Sequence, residues 1–292
     1  MNVLILGASG LVGGSMLTYL SGFADYTVRG THFSFPTDAT YFFNSADLGD
    51  SANADALRNF APAAVVHCGA LTFVDYCEEH PVESFEKTVN STRHALELAR
   101  QYGAMFVYIS TDYVFDGQRG PYTEEDAVNP VCVYGAHKLE AEQLVQQSGL
   151  PYLILRITNV YGTEIRGKNF IARLLTQIQN GEQISLTLPY DQYATPINAS
   201  DVARALKLLL DHGRQGIYHL AGTDYLNRYQ LADRVVSNFD YPNAILQPVT
   251  TATLAQRAPR PLKAGLLAHK FLSEFSDFRF SNVDDFLKNL DA

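Results

Sequence analysis

The chain has 292 residues, of which 47 % are hydrophobic, and its formal net charge at pH 7 is −9. This length and apolar fraction are enough for a large buried core and argue against a disordered chain. The negative charge, with no run of basic residues in the sequence, argues against a surface for nucleic acid or for an anionic membrane.

The three cysteines and the opening residues indicate the cellular setting. Cys68, Cys77 and Cys132 form no CxxC pair and are odd in number, which argues against a disulfide framework. The opening MNVLILGASG has no basic leader, and its apolar run is too short for a bilayer. We therefore expect a cytoplasmic protein, and we predict no metal site because no ligands cluster.

Strand-like apolar runs alternate with helical patterns in the first 162 residues. The continuous apolar strands indicate a parallel sheet with helices on both faces, so we predict an α/β protein with a Rossmann-like, doubly wound sheet. In chain order the predicted elements are strand 3–7, helix 11–21, strand 26–33, strand 63–70, helix 82–102, strand 104–111, helix 134–147 and strand 151–162.

The pattern changes after residue 162. We predict a helix at 170–180, an extended segment at 185–196, a helix at 197–211 capped by Ser200 or Asp201, and a strand at 216–222. The last seventy or so residues mix helices with loops. We therefore predict a dinucleotide-binding domain at 1–162, rejoined by about 196–222, and a smaller C-terminal substrate-binding lobe at 163–292.

A glycine-rich turn, GASGLVG, lies between the first strand and the first helix. Its glycines are Gly7, Gly10 and Gly13. In this context glycines let the backbone approach a pyrophosphate, towards which the helix N-terminal amides point. The turn predicts dinucleotide binding; the alternative is a tight strand–helix turn that needs glycine only for packing.

The end of the second strand bears on the form of the cofactor. An acidic residue there would bind the ribose 2′-hydroxyl of NAD, but VRGTHFS contains none. The sequence therefore favours NADP(H) over NAD(H), with Arg29 and His32 facing a 2′-phosphate unless both are solvated surface residues. Asp47, followed by Leu48, either accepts a hydrogen bond from the adenine amino group or is a turn residue.

Tyr134 precedes Lys138 by one helical turn. Positions four apart share a helix face, so the ammonium is expected to lower the phenol pKa and to make the tyrosine a general acid. The alternative is an exposed helix start with an incidental cation. Thr111, at the carboxyl end of a buried strand, could donate to the same substrate oxygen. Asn90 either relays protons to the lysine or is a helix-surface residue.

These segments resemble the extended short-chain dehydrogenase/reductase superfamily, and within it the dTDP-4-dehydrorhamnose reductase branch. The resemblance rests on GxxGxxG, STDYVFDG, the Glu124–Asp126 pair, NP and VYGxxK in this order. It continues through LILR, VYG, NF, DQYATP and RP, and so covers nearly the whole chain. STDYVFDG followed by YGxxK is specific, whereas no single glycine or tyrosine is.

The resemblance implies a role for each catalytic residue. Tyr134 protonates the sugar C4 oxygen as NAD(P)H delivers hydride to C4, Lys138 lowers the tyrosine pKa and binds the nicotinamide ribose, and Thr111 orients the carbonyl. Further implied cofactor contacts are Gly7, Ser9, Gly10, Leu11, Val12, Gly13, Ala70, Leu71 and Thr72. Candidate contacts to the nucleotide sugar are Thr72, Val74, Asp112, Asn159, Asn169, Gln192 and Arg260.

Two departures from the family pattern lie on the substrate side. Rhamnose-forming relatives carry a tryptophan where this chain has Asn159, and the chain contains no tryptophan. After RP, the usual polar pair is replaced by Lys263, Ala264 and Gly265. The pattern therefore supports the reaction type better than the identity of the sugar.

Three functions are compatible with these residues. The first is an NAD(P)H-dependent reductase of a nucleotide-activated 4-keto-6-deoxy sugar. The second is an epimerase, dehydratase or other ketone reductase of the same fold, although dehydratases tend to carry Asp-Glu where this chain has Asp112-Tyr113. The third is a non-catalytic NADP-binding subunit, like the regulatory subunit of methionine adenosyltransferase. The sugar, the nucleotide and a homodimeric state are left open.

Overall fold

A central sheet of seven parallel strands organises the computed structural model, which describes residues 1–45, 47, 57, 59–164 and 166–290. The described strands are β1 (Asn2–Leu6), β2 (Thr27–His32), β3 (Thr40–Phe42), β4 (Ala64–His67), β5 (Met105–Thr111), β6 (Tyr152–Ile157), β7 (Ile184–Pro189), β8 (Tyr193–Ala194), β9 (Gly216–His219), β10 (Leu226–Asn227) and β11 (Ala244–Val249). The sheet order is β3-β2-β1-β4-β5-β6-β9, so the order reverses direction between β1 and β4. Ligands bind at such a reversal, outside the carboxyl ends of the strands.

Helices cover both faces of the sheet. The described α-helices are α1 (Leu11–Ser21), α2 (Val74–Glu79), α3 (Pro81–Phe85), α4 (Ser91–Tyr102), α5 (Val133–Gln147), α6 (Phe170–Gln179), α7 (Ala199–Asp211), α8 (Arg228–Asn238), α9 (His269–Glu274) and α10 (Val283–Lys288). A π-helical turn, Glu86–Asn90, joins α3 to α4. The predicted helix at 82–102 is therefore present but contains this irregular turn.

Alternating side chains of β1 divide the core into two clusters, because successive strand residues point to opposite faces. Val3 and Ile5 pack in the cluster that includes residues of α1, α7 and α9. Leu4 and Leu6 pack in the cluster that includes residues of α4 and α5. Burial on both faces explains why the strands are continuously apolar, and the predicted doubly wound α/β fold is confirmed.

The C-terminal lobe has its own apolar cluster, formed by residues of α6, α8, α10 and β7. In this lobe β11 pairs parallel with β7, and β10 pairs antiparallel with β8. The chain returns to the first core cluster through 268–280, where Phe271, Phe278 and Phe280 are buried. We therefore propose the two-part division that the sequence predicts, with one addition. Residues 268–280 also rejoin the dinucleotide-binding core, as 196–222 do.

Two element boundaries differ from the sequence predictions. The strand predicted at 151–162 ends at Ile157, because Thr158 bonds to Asp112 (2.6 Å) and Asn159 is left-handed, with φ of 38°. The cap of α7 is Asn198, whose side chain accepts from the Ser200 amide (2.9 Å), so the predicted Ser200 or Asp201 cap is wrong. The Asp201 carboxylate instead accepts from the Ser281 amide (2.6 Å).

A buried polar network links α5, β6 and β9. The Arg156 guanidinium donates to Glu142 through Nε (3.0 Å) and Nη2 (2.7 Å), and Ser110 donates to the same carboxylate (2.5 Å). His219 is fully buried, with Nδ1 3.0 Å from the Tyr122 carbonyl and Nε2 3.4 Å from Arg156. Burial, reinforced by the Arg156 charge, lowers the pKa of His219 to about 3.

His219 is predicted to make the fold acid-sensitive. Folding keeps the ring neutral, whereas the unfolded chain binds a proton below pH about 6.5, so this contribution to stability is lost as pH falls from about 6.5 towards 3. His219→Gln should reduce the slope of unfolding free energy against pH by about 1.4 kcal/mol per unit in this window. Urea unfolding at several pH values measures this slope. The control is the same substitution at an exposed position, His212→Gln. An unchanged slope for His219→Gln would contradict it.

Candidate active site

The glycine-rich turn between β1 and α1 can accept a dinucleotide. Gly7 has φ of 82°, and a Cβ on Gly13 would lie 2.6 Å from the Gly7 carbonyl oxygen, so both positions require glycine. Within α1, which is fully described, Gly10 provides no side-chain cap and the first turn has no acidic residue. The free amides at this helix start suit a pyrophosphate, and the cradle therefore fits the cofactor that the sequence predicts.

The other predicted cofactor contacts lie at the carboxyl ends of the neighbouring strands. Ser9, Leu11 and Val12 are half-buried around the turn, and Ala70 and Leu71 are half-buried after β4. The exposed Thr72 and then Val74, the first residue of α2, follow along the same segment. Their contacts with a cofactor or a substrate remain predictions.

Some of the residues predicted to contact the adenosine end of the cofactor interact with other side chains of the protein. The Arg29 guanidinium carbon lies 4.8 Å from the ring centroid of Phe60 and 5.9 Å from that of Tyr41. His32 Nδ1 lies 2.8 Å from the Thr40 hydroxyl. Asp47 is exposed, and Leu48 lies outside the described residues. The arginine therefore packs on aromatic rings at the sheet edge, and its role towards a phosphate stays a prediction.

Thr111 and Tyr134 meet where β5 ends and α5 begins. The Thr111 hydroxyl is near enough to the Tyr134 phenol to act on its pKa, and it also lies 3.2 Å from Asp112 Oδ1. The Tyr113 ring stands edge-on to the Tyr134 ring, with 5.4 Å between centroids. Burial raises the pKa of Tyr134 above its ordinary value, although the Thr111 hydroxyl opposes this. The phenol is therefore protonated at neutral pH.

Lys138 is buried behind this pair. Its Nζ donates to the Ile109 carbonyl (2.5 Å) and lies 4.2 Å from the Tyr108 ring centroid. Burial lowers the pKa of Lys138 to about 7, against the opposing charge of Glu142. Burial dominates the pKa of Tyr134, which lies above its ordinary value, and the predicted lowering of this pKa by the Lys138 ammonium stays a prediction.

A close backbone contact fixes the start of α5. A Cβ on Gly135 would lie 2.2 Å from the Tyr113 carbonyl oxygen, so only glycine lets the helix approach this near. From α2, the Glu78 carboxylate accepts from the Val133 amide (2.9 Å), the first residue of α5. The packing of Gly135 and this capping carboxylate together set the position of Tyr134 relative to β5.

Asp112, a predicted substrate contact, is held internally. Its Oδ2 accepts from the Thr158 hydroxyl (2.6 Å) and from the Gly265 amide (3.3 Å), and burial raises the pKa of its carboxyl group. The Gly265 segment is itself tied to the loop after β5, since the Lys263 amide donates to the Gly117 carbonyl (2.7 Å). Asp112 thus joins the residue after β6, Thr158, to the Gly265 segment.

The remaining predicted substrate contacts also have partners. Arg260 forms an ion pair with Asp75 (2.8 Å) and is largely buried. Gln192 donates to Thr251 (3.0 Å) and Gln256 (2.7 Å), and Asn169 caps α6. Asn159 is half-buried in its left-handed turn, and Asn90, at the end of the π turn, accepts from Arg93. The structure brings Thr111, Tyr134, Asp112 and Lys138 together; the roles of the others remain predictions.

Three residues near the site were not identified by the sequence analysis. Arg228, at the start of α8, has its guanidinium carbon 5.2 Å from the Phe170 ring centroid. Burial lowers the pKa of Arg228; the Tyr113 phenol and Asp112 oppose the change, while the charges of Arg260 and Arg173 add to it. Arg228, Arg173 and Tyr113 therefore belong to the same neighbourhood. Tyr113 lies within STDYVFDG and could have been noted, whereas nothing in the local pattern distinguishes the arginines.

The described residues contain no helix that is both long enough and apolar enough to span a membrane. They also contain no group of three or more His, Cys, Asp or Glu side chains arranged to hold a metal ion.

Replacing Gly135 tests the contact that sets Tyr134. Gly135→Ala places a methyl group against the Tyr113 backbone and should lower the free energy of unfolding by about 1–3 kcal/mol. The control is Gly10→Ala, whose new Cβ would meet its nearest backbone oxygen at 3.5 Å and whose φ of −88° suits any residue. The control should cost less than about 1 kcal/mol in urea unfolding. Equal losses for the two variants would contradict the assigned contact.

Comparison with known proteins places the chain in a family. The model of the RmlD substrate binding domain matches residues 1–289. Methionine adenosyltransferase 2 subunit beta of Mus musculus is 32 % identical over 271 residues, which are 90 % of this chain and 79 % of that protein.

Solved structures agree with this match. A dTDP-4-dehydrorhamnose reductase from Clostridium acetobutylicum has a TM-score of 0.85 at 27 % identity, with all of both chains covered. A dTDP-4-dehydrorhamnose reductase from Bacillus anthracis, in complex with NADP, has a TM-score of 0.85 at 24 % identity, covering 99 % of this chain and 97 % of that one; at this identity the likeness concerns the fold. The chain therefore belongs to the RmlD substrate binding domain family of extended short-chain dehydrogenases/reductases, and the resemblance and the NAD(P)-dependent oxidoreductase class predicted from its sequence are confirmed.

Proposed function

We propose that this protein is an NAD(P)H-dependent reductase of a nucleotide-activated 4-keto-6-deoxy sugar. The observation that carries the proposal is that the Thr111 hydroxyl and the protonated Tyr134 phenol lie near each other where β5 ends and α5 begins. Two hydroxyl groups at one point suit a single ketone oxygen, and the glycine-rich turn that fits a dinucleotide is at the same edge of the sheet.

In the proposed mechanism, Tyr134 is the general acid. A phenol whose pKa lies above its ordinary value holds its proton at neutral pH, which is the form that reduction of a ketone requires. The Thr111 hydroxyl orients the ketone oxygen and supports the phenolate that remains after proton transfer. Lys138, with a pKa of about 7, holds the nicotinamide ribose and is the nearby group that can carry a proton at physiological pH. A bound nicotinamide cofactor supplies the hydride.

The arginines of the C-terminal lobe support an anionic substrate. Arg173 and Arg260 are near enough to Arg228 to lower its pKa, and Tyr113 and Asp112 are near enough to oppose them. Arg260 is balanced by Asp75, but among the described residues no ion pair to Arg228 is seen. A partly buried guanidinium without a carboxylate partner suits the diphosphate of a nucleotide sugar, with which its fork can form two hydrogen bonds.

A nicotinamide cofactor is supported by the fit of the glycine-rich turn and by NADP in the Bacillus anthracis reductase. We propose NADP(H) rather than NAD(H), since the end of β2 has no acidic residue for a ribose 2′-hydroxyl. A nucleotide sugar is the proposed partner, and a homodimer remains compatible with this function.

Removing the Tyr134 hydroxyl tests the catalytic assignment. Tyr134→Phe should lower kcat for a 4-keto nucleotide sugar by about 100-fold or more, because the general acid is lost while the ring packing is kept. Tyr102→Phe makes the same chemical change on an exposed residue at the end of α4 and should leave kcat unchanged. NADPH oxidation followed by fluorescence measures both variants. Wild-type turnover by Tyr134→Phe would overturn the assignment.

Removing the Arg228 charge tests the proposed diphosphate site. Arg228→Leu should raise KM for the nucleotide sugar by about tenfold or more, since a charge-assisted hydrogen bond contributes about 1.5–3 kcal/mol. Arg100→Leu removes an arginine that pairs with Glu97 on the surface of α4, and it should not change KM. An Arg228→Leu variant with unchanged KM would place the diphosphate elsewhere.

A regulatory subunit is the second candidate, because curated relatives at about 30 % identity are methionine adenosyltransferase 2 subunits beta. Tight NADP that does not turn over, together with co-purification of a partner enzyme, would favour it. Net cofactor oxidation separates the reductase from an epimerase or a dehydratase, which return their hydride. Steady-state NADPH consumption against a panel of 4-keto nucleotide sugars therefore distinguishes the reductase from the other two, which co-purification of a partner enzyme then separates.

A further inference from the structure

The loop after β6 passes beside the start of α1 and ends at the first residue of α6. We name residues 162–169, of which 165 lies outside the described residues, the 162–169 strap. At its first residue, a Cβ on Gly162 would lie 3.3 Å from the Leu11 side chain at the start of α1. At its last residue, Asn169 caps α6 and its side chain donates to the Val160 carbonyl (2.5 Å). The strap therefore starts near α1 and is held at its end by the hydrogen bonds of Asn169.

Between these two ends, Arg166 reaches the segment that follows β2. Its guanidinium carbon lies 5.2 Å from the ring centroid of Phe35, which is three residues beyond the end of β2 at His32. Arg166 Nε is buried and has no hydrogen-bond partner among the described residues. A buried donor without an acceptor is costly, so this nitrogen indicates a ligand acceptor that belongs beside it.

A dinucleotide bound in the position usual for this fold would pass near this arginine. In this fold the pyrophosphate lies at the N-terminus of the first helix and the adenosine ribose lies at the end of the second strand. The 162–169 strap begins beside Leu11, at the pyrophosphate position, and carries Arg166 to Phe35, at the adenosine position. The guanidinium is thus on the ribose side of the cleft rather than over the glycine-rich turn.

We propose that Arg166 binds the 2′-phosphate of NADP(H) and determines the preference for this cofactor. This inference rests on the proposed binding of a nicotinamide dinucleotide. The guanidinium fork suits two phosphate oxygens, and the Phe35 ring holds its plane by a cation–π contact. Arg29, the arginine that the sequence suggested for this role, lies over Phe60 and Tyr41 instead. A residue from the loop towards the substrate lobe therefore takes the role expected of β2.

Cofactor binding without substrate tests Arg166 independently of turnover. Kd values for NADPH and for NADH are measured by fluorescence titration with wild type, Arg166→Ala and Arg166→Lys. Arg166→Ala should weaken NADPH binding by about 10- to 100-fold, the equivalent of losing a hydrogen bond to a charged group, and should change NADH binding by less than about threefold. Arg166→Lys keeps the charge without the fork and should give an intermediate loss for NADPH alone.

The matched control is Lys168→Ala, which removes an exposed cation two residues along the same strap and should leave both Kd values unchanged. Equal weakening of NADPH and NADH by Arg166→Ala would overturn the proposal, because the arginine would then serve the pyrophosphate or the strap itself. Unchanged NADPH binding would overturn it as well. If the wild-type protein binds neither nucleotide, the proposed reductase function is overturned as well. If the wild-type protein binds both nucleotides and Arg166→Ala binds them equally well, only this inference is overturned.

Discussion

The approach of α5 to the backbone of Tyr113 is the constraint on which the candidate site depends. The helix starts so close to this carbonyl that Gly135 has no room for a side chain, and Glu78 holds the first amide of the helix. Tyr134 is the residue between these two fixed points. Its phenol therefore meets Thr111 at the end of β5 through packed backbone rather than through a flexible loop, which is how a fold pre-organises catalytic groups.

Burial and pairing decide which charges remain for a ligand. At the edge of the cleft, Asp112 is held by Thr158 and Gly265, and Arg260 is neutralised by Asp75. The Arg228 guanidinium rests on an aromatic ring, with other arginines nearby. The whole chain carries a net charge of −9, yet Arg173 and Arg260 are near enough to Arg228 to act on its pKa. Local donors, rather than net charge, would therefore govern the proposed recognition of a phosphate-bearing small molecule.

Much of the fold could be predicted from the sequence because both faces of a parallel sheet are buried, which makes each strand an apolar run. The same apolar pattern predicted β6 to be too long. The strand ends earlier because Asn159 has a left-handed backbone conformation, which apolar periodicity does not reveal. The catalytic pair was predicted from short motifs, but the direction of the Tyr134 pKa depends on burial by distant segments. Arg228 could not be identified from the sequence because it comes near Tyr113 only when the C-terminal lobe packs on the core.

The 162–169 strap connects the two halves of the proposed site within one stretch of chain. It leaves the core beside Leu11, passes Phe35 with Arg166, and ends at Asn169, whose side chain accepts from the amides of Ile171 (3.0 Å) and Ala172 (3.2 Å). The helix that it caps carries Arg173 in its first turn, towards the proposed diphosphate site. If Arg166 binds the cofactor and Arg173 acts on the substrate as proposed, neighbouring parts of one stretch of chain would contact both ligands, and the proposed substrate lobe and dinucleotide-binding core would share one site.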